Sequence, residues 1–256
     1  MNNRFIGVDL TDPYAIRKRP ICIVEMVFEG KQGKLLHLPP SDWPDHWPRS
    51  ASFLTPETVG PLLIPKPGKK DCIWMGIDGP IGLAGNKEAK AREGEKLLRA
   101  PGRSPWNYPV PGFPFAGFVT GSVVLWSWLT LHGEVAVDGS RPDLQDNKSQ
   151  IHACEVFPGA AWRVFAGETR LVAKSTPVGK KQRIGVLQSM DIQVPEDWDK
   201  ARDIGDRLDA ALAALVAYLW FKGKTEAKGL PPVWDQENRL WREGWIRHPM
   251  PTTSEA

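Results

Sequence analysis

Two stretches of the chain end an apolar run on an aspartate in the same context. Phe5-Ile-Gly-Val-Asp9 and Trp74-Met-Gly-Ile-Asp78 both run apolar, glycine, aliphatic, aspartate. If both are central strands of one sheet, both carboxylates emerge at the same edge, and ligands bind in the crevice beyond such strand ends. A buried carboxylate is costly unless a cation, a donor or water meets it. Capping of the following turn is the alternative explanation for each aspartate.

Three further acidic residues belong to the same set. Glu155 lies in the otherwise apolar run 151–157, where an acid is uncommon unless it is paired. Asp209 lies against the core-facing stripe of a helix predicted over 200–222, and Asp206 lies one turn earlier. A solvent-facing edge-strand glutamate and first-turn carboxylates favoured by the helix dipole are the alternatives.

The chemistry of such a set is that of a divalent metal site. Clustered carboxylates repel one another and raise one another's pKa unless a divalent cation neutralises them. Oxygen ligands without a histidine or cysteine pattern favour Mg²⁺ or Mn²⁺, and the five histidines and three cysteines show no metal-binding spacing. Two such ions activate water on one side of a phosphodiester and stabilise the leaving oxygen on the other.

Basic residues accompany the acids and would suit the phosphates of a nucleic-acid substrate. Arg92 and Arg99 share one face of a predicted helix with Glu95, and Lys181 and Arg183 belong to a second basic patch. Beside a metal site, these four cations are predicted to hold phosphates on either side of the scissile bond. A solvated helix face with an internal Arg92–Glu95 pair is the alternative.

Length and composition bound the class of protein. The 256 residues fit one domain, and the net charge of +3 permits a nucleic-acid partner without requiring one. The three cysteines lie far apart, which favours free thiols in a reducing cytoplasm. We expect a cytoplasmic protein with no membrane partner, because there is no signal peptide and no apolar run approaches about 18 residues. The oligomeric state is not predicted.

The order of predicted elements favours a mixed sheet covered by helices. Strands are predicted over 4–10, 21–28, 34–38, 71–78 and 151–157, and helices over 87–99, 117–131, 159–166, 179–190 and 200–222. The C-terminal tail is predicted to add a strand or a packed loop. Two Pro- and Trp-rich segments, 39–70 with a short helix at 56–63 and the loop 100–116, are insertions in this order.

The sequence resembles the domain-of-unknown-function family 429, whose members are predicted nucleases of the ribonuclease H-like fold. The matching segments occur in family order over most of the chain: Gly7–Asp9, Gly76–Leu83, Ala91–Arg99, Glu155–Pro158, Lys181–Ile184, Asp206–Leu212 and Glu243–Ile246. The resemblance implies a single α/β domain over residues 1–256, with a three-strand antiparallel meander followed by parallel strands. It also implies an acidic site built from the first strand, the fourth strand and a late helix.

Carried over to this chain, the resemblance makes Asp9, Asp78 and Asp209 ligands of Mg²⁺ or Mn²⁺, with Asp206 or Glu155 as a further ligand. Asp9, Asp78, Glu155 and Asp209 are the predicted catalytic residues of an enzyme that hydrolyses phosphodiester bonds of RNA or DNA. The inserted segments 39–70 and 100–116 depart from the family pattern and lie where they could cover the site.

Two other classes of protein remain open. A non-catalytic binding or scaffold protein of the same fold would keep the sheet without a functioning metal site. A nucleotide-binding protein of the actin and sugar-kinase type shares this sheet, but it needs two copies of the fold, and 256 residues with one meander are too few. No P-loop, Gly-x-Ser-x-Gly elbow or GxGxxG motif after a strand points elsewhere.

Overall fold

The computed structural model describes residues 2–13, 21–38, 71–132, 135–139, 151–167 and 171–251. The strands in these ranges are β1 (Asn2–Asp9), β2 (Cys22–Glu29), β3 (Gln32–His37), β4 (Asp71–Asp78), β5 (Gly82–Leu83), β6 (Val135–Val137), β7 (Ile151–Val156), β8 (Ile192–Gln193), β9 (Thr225–Lys228), β10 (Val233–Asp235), β11 (Leu240–Arg242) and β12 (Ile246–Pro249). The helices are α1 (Glu93–Leu98), α2 (Ala116–His132), α3 (Pro158–Ala166), α4 (Pro177–Ser189) and α5 (Ile204–Phe221), with a 3-10 helix at Glu196–Lys200.

A large mixed sheet forms the centre of the described part of the chain. Its strand order is β8-β3-β2-β1-β4-β7-β12-β9, with β6 also paired to β7, and β10, β11 and β5 form a second, small sheet. Strands β1, β2 and β3 are an antiparallel meander, whereas β4 runs parallel to β1 and β7 runs parallel to β4. The predicted α/β fold, a mixed sheet of meander and parallel strands flanked by helices, is confirmed.

The two faces of the sheet are covered by different helices because side chains alternate along each strand. On one face, Phe5 and Val24 pack with α3, α4 and α5. On the other face, Val8 and Ile77 pack with Leu125 and Trp126 of α2. Both faces of β1 and β4 are therefore buried, as expected for central strands.

Helix α5 lies unusually close to the sheet at two glycines. A Cβ atom at Gly7 of β1 would overlap the carbonyl oxygen of Ala210, and one at Gly76 of β4 would overlap that of Ala213. The residues of α5 at this contact are fully buried alanines, whose small side chains also permit the close approach. This packing explains the glycine two residues before each strand-end aspartate.

Replacing Gly7 by alanine is therefore expected to destabilise the fold by about 3 kcal/mol, because the overlapping atoms belong to helix backbone that cannot rotate away. Gly185 on the exposed side of α4 has no atom within 4 Å of an added Cβ. Gly185→Ala should stabilise the protein by about 0.5–1 kcal/mol through helix propensity. Urea unfolding of both variants measures the difference, and equal small effects would contradict the close packing of α5 on β1.

The main departures from the predicted elements concern α1 and the C-terminal tail. Helix α1 begins at Glu93 instead of residue 87, because Arg92 is extended (φ −68°, ψ 158°) and the Glu95 carboxylate binds its backbone N–H. The tail forms the four strands β9 to β12. The loop 100–116 is irregular until α2 begins. The segment 39–70, with its predicted helix at 56–63, lies outside the described residues.

Candidate metal centre

The two strand-end aspartates lie side by side. Asp9 and Asp78 are the last residues of β1 and β4 and are partners in the parallel register of these strands. By strand alternation, both side chains lie on the sheet face that α5 covers. Asp9 is 6% exposed, and a hydrogen bond joins its carboxyl group to that of Asp78. The prediction that the two carboxylates emerge at one edge of the sheet is therefore confirmed.

Burial and mutual repulsion disfavour ionisation of both groups. Burial, followed by the charges of Asp78 and Asp209, raises the pKa of Asp9 well above its ordinary value. Burial, followed by the charge of Asp209, raises the pKa of Asp78 to about 7. A cation bound between these carboxylates would relieve the cost of ionising them.

Asp209 approaches the pair from α5 and is held by two donors. Its Oδ1 atom accepts a hydrogen bond of 2.8 Å from Nε1 of Trp162, and its Oδ2 atom is ion-paired with Nζ of Lys174. The same Nζ lies 3.5 Å from Oδ1 of Asp206. Asp209 is only 7% exposed, so Trp162 and Lys174 supply the hydrogen-bond donors that a side chain at a buried position needs.

A cavity of about 670 Å³ lies above these acids. Its floor includes Asp9, Asp78, Asp206 and Asp209, and its lining also includes Lys174, Arg183, Phe115, Phe118, Phe157 and Trp162. Sites for small ligands commonly measure roughly 300–1,000 Å³ and combine apolar walls with a few polar groups. The cavity therefore has the size and the chemistry of a ligand-binding site.

The donor set fits one hard divalent cation better than two. Mg²⁺ is usually bound by one or two carboxylates, with waters and substrate phosphate oxygens as the other ligands, and Asp9 and Asp78 supply such a pair. Of the described residues, no group of three or more His, Cys, Asp or Glu is placed to hold a metal ion. The third predicted ligand, Asp209, is already paired with Lys174.

Glu155 lines the same cavity as the other acids, but it approaches the cavity from the opposite face of the sheet. In β7, Cys154 and Val156 face α5, so Glu155 lies on the opposite face of the sheet. Both of its oxygens bind Arg92, at 2.7 and 2.5 Å, and its Oε2 accepts a hydrogen bond from the backbone N–H of Ile81. Because its oxygens are already engaged, we place Glu155 among the residues that support the site and give it no ligand role.

Arg92 lies at the centre of a buried network on that face. It is 1% exposed and also bonds Glu95, at 3.1 Å, so the predicted Arg92–Glu95 pair is present but buried. Glu95 accepts further hydrogen bonds from the backbone and hydroxyl of Ser104. Nearby, Glu243 accepts from the backbone N–H groups of Gly85 and Glu93. Four of the segments that resemble the family therefore meet beside the cavity: Gly76–Leu83, Ala91–Arg99, Glu155–Pro158 and Glu243–Ile246.

The other predicted phosphate-binding residues differ in position. Arg99 ends α1 in a left-handed conformation (φ 54°) and is exposed, and Lys181 is exposed on α4. Neither lines the cavity. Arg183 does line it, is 8% exposed, and donates from Nη1 to the carbonyl oxygens of Val172 and Gly179. Its Nε has no hydrogen-bond partner among the described residues.

Two residues of the site were not anticipated from the sequence. Lys174 lies in an irregular segment before α4, and Trp162 lies in α3. Neither belongs to a motif with chemical spacing, and both reach Asp209 from more than thirty positions away in the sequence. A lone lysine in a loop and a tryptophan on a helix carry no local signal of such a contact.

The fold and the site define an α/β protein with a buried acidic cluster at the carboxyl ends of its central parallel strands. The chain belongs to the family described as "Protein of unknown function (DUF429)", which matches residues 66–232. This range includes Asp78, Arg92, Lys174 and Asp209 but not Asp9. No curated protein and no solved structure matches the chain significantly. None of the described helices is long and apolar enough to span a membrane.

Proposed function

We propose that the protein hydrolyses phosphodiester bonds of nucleic acid at a Mg²⁺- or Mn²⁺-dependent site. The observation that carries this proposal is the pair of the buried Asp9 and the partly exposed Asp78, in register at the ends of neighbouring parallel strands. A bound divalent ion would lower the pKa of a water nucleophile and polarise the phosphoryl oxygen. We further propose a cytoplasmic location, in agreement with the free cysteines.

The residues around the pair have separate tasks in this proposal. Asp9 and Asp78 hold the ion, and Asp209 orients Lys174 beside them. Arg183 lines the cavity, and its guanidinium would bind a substrate phosphate there. The aromatic walls, which include Phe115 and Phe118, would stack on an unpaired base, so single strands suit this cavity better than a duplex. Arg99 and Lys181 would contact only nucleic acid that extends beyond the cavity.

One observation favours the alternative of a non-catalytic binding protein. Lys174 already neutralises Asp209 and Asp206, and an acidic cluster that a lysine neutralises does not require a metal ion.

The two proposals predict different results in a cleavage assay. Purified protein is incubated with Mn²⁺ and end-labelled single-stranded RNA or DNA, and EDTA is added to a matched sample. Cleavage of at least one substrate only in the presence of Mn²⁺ is expected, and no cleavage of either would favour the binding protein.

Arg183→Met is expected to raise KM for the oligonucleotide about 10- to 100-fold, because a charge-assisted hydrogen bond to phosphate is lost. It should also reduce the slope of the logarithm of the binding constant against the logarithm of the salt concentration by about one, the value for one lost phosphate contact. Lys31→Met is the matched control, since Lys31 lies in the β2–β3 turn at the opposite end of the sheet from Asp9. Equal KM and salt dependence in both variants would show that Arg183 does not contact the substrate.

A further inference from the structure

We propose, on the basis of the metal-dependent function above, that Lys174 is a built-in cation that takes the place of a second divalent ion. The site would then bind one ion at Asp9 and Asp78, while the ammonium group of Lys174 serves Asp209 and Asp206. A catalytic site of this kind pairs one exchangeable cation with one covalently tethered cation.

The contacts of Lys174 support this role. Its Nζ is ion-paired with Asp209 and lies 3.5 Å from Asp206, so one cation bridges two carboxylates as a metal ion would. Its side chain remains 41% exposed and lines the cavity, which leaves the ammonium group accessible to a substrate phosphate. The position is also fixed from the other side, because Trp162 holds the second oxygen of Asp209.

The arrangement also explains why the acids of this site divide into two sets. Asp9 and Asp78 are hydrogen-bonded to each other, and Lys174 acts on both as a nearby charge. Asp209 and Asp206 have Lys174. Among the described residues no three acids are placed to share one metal ion, as expected if a lysine occupies the space between the two sets. In the reaction, Lys174 would stabilise negative charge on the phosphate electrostatically, without transferring a proton and without forming a covalent bond.

Removing the lysine charge should open a second metal site. Isothermal titration of the 256-residue protein with Mn²⁺ is expected to give one ion per chain for the wild type. Two ions are expected for Lys174→Met, whose Asp209 and Asp206 no longer interact with an ammonium group. Lys174→Arg keeps the charge and should bind one ion, as should the control Lys31→Met. At Mn²⁺ concentrations that fill only the first site, hydrolysis by Lys174→Met should fall about 100- to 1,000-fold. Higher Mn²⁺ should restore part of it.

The melting temperature gives a second readout that does not depend on activity. Without metal, Lys174→Met removes the ammonium partner of the buried Asp209 carboxylate and should melt at a lower temperature than the wild type. Mn²⁺ should raise the melting temperature of Lys174→Met by more than that of the wild type. Two ions in the wild type, or one in Lys174→Met with unchanged hydrolysis, would overturn the inference and leave the proposed function intact. Failure of every variant to bind Mn²⁺ would instead overturn the proposed function and this inference together.

Discussion

Asp9→Asn is expected to abolish Mn²⁺-dependent hydrolysis while leaving the metal-free protein as stable as the wild type or more stable. Asparagine keeps the shape and the hydrogen bond to Asp78, but it removes one of two adjacent charges. Loss of a ligand to the ion removes both water activation and phosphoryl polarisation, so we expect a loss of rate on the order of 1,000-fold.

The stability effect should depend on pH in a defined direction. Because burial raises the pKa of Asp9 in the folded state, ionisation costs stability once the pH exceeds the ordinary aspartate pKa of about 4. Below that pH both proteins carry an uncharged group and should be equally stable. The advantage of Asp9→Asn should appear above it and grow as the pH rises.

Thermal melting with and without Mn²⁺ measures both effects. Mn²⁺ should raise the melting temperature of the wild type much more than that of Asp9→Asn, because an ion that binds only the native state stabilises it. The control is Asp191→Asn, at an exposed turn residue whose left-handed backbone (φ 58°) asparagine tolerates. Lower stability of Asp9→Asn, with no response to metal in either protein, would make Asp9 a structural residue and remove the main support for the nuclease proposal.

Arg92→Met is expected to destabilise the protein by about 3–5 kcal/mol, because it leaves the buried carboxylates of Glu155 and Glu95 without their cation. For a chain of this size, the melting temperature should fall by about 10 °C. At a temperature where the variant is folded, its affinity for oligonucleotide should be nearly unchanged, since the guanidinium is 1% exposed and already fully engaged.

A double-mutant cycle measures the interaction energy between Arg92 and Glu155, which can be compared with that of an exposed ion pair. Adding Glu155→Gln to Arg92→Met removes one unpaired charge and should recover part of the lost stability. The control is Lys96→Met, which breaks an exposed pair with Glu93 on the same helix and should change stability by less than about 0.5 kcal/mol. A weak effect of Arg92→Met on stability, with a large loss of substrate affinity, would support direct phosphate binding by Arg92 instead.

Much of the site could be predicted from the sequence because its main ligands lie at the ends of regular elements. The apolar runs before Asp9 and Asp78 are typical of central strands, and such strands end at a common sheet edge. The apolar stripe of α5 likewise placed Asp209 toward the core, as observed. The glycines at positions 7 and 76 were visible in the sequence, but their purpose was not, because it depends on how closely the α5 backbone approaches the sheet.

The sequence by itself determined the fold class, the strand-end pair and the core-facing side of the last helix, because each follows from periodicity within one segment. Only the tertiary structure decided which charges meet. Buried apolar residues lie on both faces of β7, so the local sequence does not indicate which helices cover the face that carries Glu155. Its partner Arg92 lies 63 positions away in the sequence. Lys174 meets Asp209 across 35 residues for the same reason. Charge pairing depends on distance in space, and no local pattern encodes the distance between segments that meet only when the chain has folded.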